Sequence, residues 1–171
     1  MIKQYIGVLF LALVMVMIQS ALLPLLGTRL FVDFLFVMAV IIGLFKDRVH
    51  GAIMCFLIGG LEDLVAGQLP GVFMASRLTV FLAAQFARVR IAPDTPVAKF
   101  SLGLLMGLVD RAALYVLYQL FADISPALTA RTAGLMVLGM LINAALVPVF
   151  YYLFKLIPGF IEQRRGPRVA G

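Results

Sequence analysis

The sequence predicts an all-α integral membrane protein, a compact bundle of six transmembrane helices. Three observations carry this. The chain has 171 residues, is 64% hydrophobic with a mean hydropathy of +1.11, and only 13% of its residues are charged. A soluble domain of this length has too large a surface for its volume to hide that much apolar area, so lipid is the natural solvent for the excess. The apolar runs are each close to the ~20 residues that cross a hydrocarbon core, and six of them use ~120 residues, leaving only short loops. The third observation is the punctuation between runs by Pro, Gly and charge.

Span 1 is expected over Tyr5–Leu23, preceded by Lys3 and closed by Pro24 and Gly27. A cleaved signal peptide is disfavoured, because the run stays apolar past Ser20 to Leu26 and has no A-x-A-like site. Span 2, Leu30–Phe45, is short, carries Asp33 near its start and ends at Lys46, Asp47 and Arg48. Span 3, Val49–Ala66, contains the stretch that sets the chain apart. From Gly59 to Gly71 the sequence reads GGLEDLVAGQLPG, two adjacent carboxylates at the end of an apolar run followed by turn formers. Span 4, Leu69–Ala87, holds Arg77, and a loop with Pro93, Asp94 and Pro96 follows Arg88 and Arg90. Span 5, Val97–Phe121, has Asp110 and Arg111 near its middle; Asp123, Ser125 and Pro126 make the next loop. Span 6, Arg131–Ile157, is interrupted by Pro148. Residues 1–157 thus form one transmembrane domain, and 158–171 a basic cytoplasmic tail expected to lie against anionic lipid.

The net charge of +6 does not point to nucleic acid, because the bases are sorted by loop. With the N-terminus inside, Lys3, Lys46, Arg48, Arg88, Arg90, Lys99, Lys155, Arg164, Arg165 and Arg168 fall on the cytoplasmic side, against Arg29 and Arg131 outside. An even number of spans then places both termini in the cytoplasm. Cys55 and His50 are each alone, which excludes an internal disulfide and a Cys or His metal cluster; His50 reads as a solvated or interfacial residue.

Small residues recur at four-residue spacing. Gly51, Cys55, Gly59 and Asp63 form one row on span 3; Ala75, Thr79, Ala83 and Ala87 form another on span 4; Gly103 and Gly107 lead to Arg111 on span 5. Such rows let helices approach closely in lipid, so Gly51, Gly59, Gly103 and Gly107 are expected at packing contacts. Docking of a partner helix is the sharper alternative. Gly60-Leu61-Glu62-Asp63 also echoes Gly107-Leu108-Val109-Asp110, a faint sign of duplicated halves.

Asp33, Glu62, Asp63, Arg77, Asp110 and Arg111 are the candidate site residues. The first four fall in the outer half of the bilayer, and Asp110 and Arg111 near mid-depth. A charge at mid-membrane costs at least ~2.5–3.5 kcal/mol, which pairing or water must offset. One reading pairs them internally, for instance Arg77 with Asp63 or Asp33; the other makes them a partner-binding surface or polar cavity. An aspartyl dyad is disfavoured, since Asp63 and Asp110 fall at different depths and each has a charged neighbour. With no Ser-His pair or metal-ligand cluster, an enzyme is not expected, and no cofactor is implied.

A family resemblance adds to this. Gln19-Ser20-Ala21-Leu22-Leu23-Pro24 closing span 1, Asp33 opening span 2, and Gly59-Gly60-Leu61-Glu62-Asp63-Leu64 followed by Gly67 and Gly71 resemble the MreD family of bacterial rod shape-determining membrane proteins. The motif match covers residues 19–71, and the hydropathy pattern most of the chain. The family has Pro before the span 2 acid, where this chain has Val32, and its Pro-Leu-Gly becomes Leu69-Pro70-Gly71. The resemblance implies a non-enzymatic inner-membrane scaffold of cell elongation. Its partners would be MreC and, beyond that, RodA, the class B penicillin-binding transpeptidase and MreB, in the service of lateral peptidoglycan synthesis. The family is also similar to the substrate-binding S components of energy-coupling-factor vitamin transporters, which supplies the alternative function. Sequence favours the scaffold: Trp is absent, and few aromatic or hydrogen-bonding groups are evident in the outer halves beyond the amides of Gln19 and Asn143.

Overall fold

The computed structural model describes residues 2–25, 32–66, 69–91, 95–122 and 130–156. They form six helices and no strand: α1 (Ile2–Leu25), α2 (Phe34–Phe45), α3 (Arg48–Ala66), α4 (Val72–Ile91), α5 (Pro96–Ala122) and α6 (Ala130–Lys155). Three stretches are long and apolar enough to cross a membrane: Val72–Arg90, Pro96–Phe121 and Ala133–Lys155. Residues 158–171, Arg29 and the loop at Asp123–Pro126 lie outside the described residues, and with them the expectation of tail-bound lipid.

The helix ends differ from the sequence expectation for local reasons. Helix α4 starts at Val72 instead of Leu69, because Gly71 sits at φ +94°, a left-handed turn conformation that breaks the helix before it begins. It then runs on to Ile91, past Ala87, with Arg88 and Arg90 in its last turn where they complement the helix dipole. Helix α5 opens one residue earlier than expected, with Pro96 as its first residue, and the Thr95 hydroxyl accepts from the Ala98 amide at 3.1 Å. Helix α6 passes through Pro148 without ending there.

Helix α2 is the axis of the molecule. Its sequence FLFVMAVIIGLF has no polar side chain, so it has no face suited to water, and every residue from Leu35 to Leu44 is buried. It touches all five other helices, which surround it in the order α1, α3, α4, α5, α6; among the described residues α1 and α6 do not meet. Yet α2 has only 12 residues, ~18 Å of helix, against a hydrocarbon core of ~30 Å. A central rod shorter than its sheath leaves room at its end.

The small residues place the sheath close. The α3–α4 contact is the most extensive of all. A Cβ added at Gly59 would lie 2.5 Å from the Met74 Cα and 2.8 Å from the Phe73 carbonyl oxygen, so only glycine allows this approach. Gly103 meets the Ala144 backbone in the same way, at 2.9 Å from its Cα. Gly51 lies against the Phe81 ring and Gly107 against Met140. Cys55 is fully buried as a small filler. The α4 row does not all face inward: Thr79 is exposed and its hydroxyl donates to the Ala75 carbonyl at 2.8 Å. Outer faces are apolar, with Phe10, Met17, Leu64, Phe86 and Phe121 exposed.

Candidate functional site

The N-terminal end of α2 is buried, so its free amides need acceptors. Three side chains supply them. Asp33 is the N-cap, and its Oδ1 accepts from the Phe36 amide at 2.8 Å. The Asp33 amide donates to Asn143 Oδ1 on α6 at 2.9 Å, and the Phe34 amide to Gln19 Oε1 on α1 at 3.2 Å. The two amides singled out in the sequence thus tie the outer helices to the central one.

Arg77 sits beside this cap, fully buried. Its Nε donates to Glu62 Oε2 and its Nη2 to Glu62 Oε1, both at 2.8 Å; Nη2 also reaches Asp33 Oδ2, and Nη1 donates to Asp110 Oδ1 at 2.9 Å. The Ser76 hydroxyl donates to the same Asp110 oxygen at 2.6 Å. One guanidinium therefore joins α2, α3, α4 and α5. Its planar fork suits this better than a lysine ammonium, because it offers several fixed donors at once. Phe73 covers it, with the ring centroid 5.7 Å from Cζ. Arg111 lies outside this core, its Nη2 3.7 Å from Asp110 Oδ2 and its side chain about a third exposed (32%).

Asp63 takes no part in this ion pairing, contrary to the expectation that it might hold Arg77. Its neighbour Glu62 points ~100° away on the helix and takes that role. The Asp63 carboxylate instead accepts from the amides of Gly71 (3.0 Å), Phe73 (3.0 Å) and Met74 (3.1 Å). It caps α4 from α3, where a negative charge also meets the positive end of the helix dipole. Asp63 and Asp110 hold separate partners, which gives the aspartyl dyad no support. Among the described residues no group of three or more His, Cys, Asp and Glu is placed to hold a metal ion.

The opposite end of α2 carries the complementary charge. Arg88 Nη1 donates to the Leu44 carbonyl at 2.7 Å, and Gln85 Nε2 to the Lys46 carbonyl at 2.6 Å. Lys46 and Lys99 are both buried here, and Lys99 Nζ lies 4.2 Å from the centroid of the Tyr151 ring. Acids cluster at the start of the central helix and bases at its end, as its dipole favours.

Above the Asp33 cap lies a pocket of about 470 Å³. Its walls come from all six helices or their ends: Gln19, Val32, Asp33, Glu62, Phe73, Arg111, Leu114, Tyr115, Tyr118 and Met136. This is the space that the short α2 leaves empty. Phe73, Tyr115 and Tyr118 line it, three aromatic rings not singled out in the sequence. Arg111, Leu114, Tyr115 and Tyr118 follow the i, i+3, i+4, i+7 spacing of one helix face; extending that stripe from Arg111 would have found the tyrosines. Ser76 had no such signal, because only the fold brings it to Asp110. No family model, curated protein or solved structure matches the chain.

Proposed function

We propose that this chain is a non-enzymatic scaffold of the bacterial cell-elongation machinery, in the inner membrane, binding MreC as the resemblance to the MreD family implies. In this reading all six helices are membrane-embedded and both termini are cytoplasmic. What supports it most directly is that Arg77 and Asp63 hold the bundle together. Arg77 is saturated by three carboxylates, Asp63 by three amides, and no buried side-chain nitrogen or oxygen among the described residues lacks a partner. Such a core makes a rigid body, while the apolar outer faces remain for partner helices.

The test is affinity purification of the tagged chain from gently solubilised native membranes, with mass spectrometry of what accompanies it. MreC, RodA and a class B transpeptidase are expected. Loss of rod shape on depletion, restored by the wild-type chain, is the cellular counterpart. A preparation free of MreC, with cell shape untouched, would overturn the scaffold reading. A second reading, a substrate-binding S component, is favoured by one observation, the pocket above α2. Its mark would be recovery of paired ATPases and a transmembrane coupling subunit.

A further inference from the structure

We propose that the pocket above the N-terminal end of α2 binds a small organic cation, an ammonium group carried on an apolar body. The inference rests on the pocket reading and is independent of the scaffold. Three properties of the site converge on this class.

The first is shape. About 470 Å³, walled by side chains from several helices, falls within the range of small-molecule sites, which are mostly apolar with a few convergent polar groups. The second is charge. Asp33, Glu62 and Asp110 bring three acidic groups to two guanidiniums, those of Arg77 and Arg111, an excess of one acidic group. The α2 N-terminus offsets part of it, at roughly half a charge. Asp33 and Glu62 both line the pocket, and a carboxylate has acceptor capacity beyond its bonds to Arg77. An anion would meet Arg111 but also these two carboxylates. The third is the wall. Phe73, Tyr115 and Tyr118 present aromatic rings, whose faces attract cations, and Leu114 and Met136 suit an apolar body.

The test uses the full chain purified in detergent with added lipid, titrated calorimetrically. Benzyltrimethylammonium is the cationic probe and phenylacetate the anionic one; benzyl alcohol serves as the neutral control. Saturable binding of the cation is expected, with the other two at least about tenfold weaker, as one unit charge at close range decides. Arg111→Gln removes a positive charge from the wall and should tighten the cation by about tenfold. Tyr118→Ala should weaken it several-fold through loss of a ring face. The sign of the Arg111 effect is opposite to that of general damage to the fold, so an unstable variant cannot imitate it. Preferential binding of phenylacetate, lost in Arg111→Gln, would overturn the cation assignment and leave the pocket standing as an anion site. Equal binding of all three probes would reduce it to an apolar void, and no binding by any would remove the pocket reading along with the proposal.

Discussion

Arg77 is the residue on which most of the buried polar chemistry depends. Removing one partner from a buried ion pair leaves the others charged and unpaired, which costs ~3–5 kcal/mol. Arg77→Met is therefore expected to lower the thermal stability of the purified protein sharply, or to abolish its accumulation in membranes. Arg77→Lys should rescue only in part, because one ammonium cannot reproduce the fork to Glu62 together with the bonds to Asp33 and Asp110. Asp63 has a different fate. The sequence invites the view that Asp63→Ala weakens partner binding; its role as a cap for α4 implies a stability loss of ~1–2 kcal/mol with complex formation retained. Protein level and MreC recovery, measured in the same cells, separate the two. Asp47 shows a smaller effect at the surface. Its hydrogen bond from His50 at 2.8 Å holds its carboxyl below the ordinary value. A lowered acid pKa contributes stability above the unfolded value and loses it as pH falls through the folded one. The pair is about 40% exposed, so less than ~1 kcal/mol is at stake. Asp47→Asn should accordingly lower stability near neutrality by less than ~1 kcal/mol and flatten the profile below about pH 4, the ordinary carboxylate range, where variant and parent converge.

At the scale of elements, the six helices were legible because each run is apolar over a helix length. Their ends were less so. The start of α4 depends on a left-handed Gly71 and a cap supplied by another helix, and neither is visible in hydropathy. The close α3–α4 approach was foreseeable from the four-residue glycine spacing, but which partner each glycine meets was not. Gly43, absent from the sequence-based set, is as confined as the others, with an added Cβ 2.7 Å from that of Ala84. Gly59→Val should force α3 and α4 apart, because the obstacle is Met74 backbone and cannot rotate away. A loss of ~1–3 kcal/mol is expected for such overpacking, read as a lower melting temperature in detergent. The same change at Gly134, where an added Cβ meets nothing within 4 Å, should be nearly silent and serves as the control.

For the whole molecule, the consequence to test is the ring order. In a Cys55→Ala background, which removes the chain's lone thiol, cysteine pairs placed on facing turns of α1 and α3 should oxidise to disulfides, whereas pairs on α1 and α6 should not. Cross-linking of α1 to α6 within one chain would break the proposed arrangement of five helices around α2. The sequence by itself determined the element type and the apolar character of each run, because apolar composition and run length act locally and additively along the chain. It also singled out the charged residues, since a charge in an apolar run is conspicuous wherever it ends up. Only the tertiary structure decided which charges meet. Asp33, Glu62, Arg77 and Asp110 come from four helices, and their convergence depends on the rotation and depth of each helix, to which a hydropathy pattern is blind. The pocket belongs to the tertiary structure as well. It exists because the central helix is shorter than the five around it, and a helix reveals itself as central only once its neighbours have closed around it.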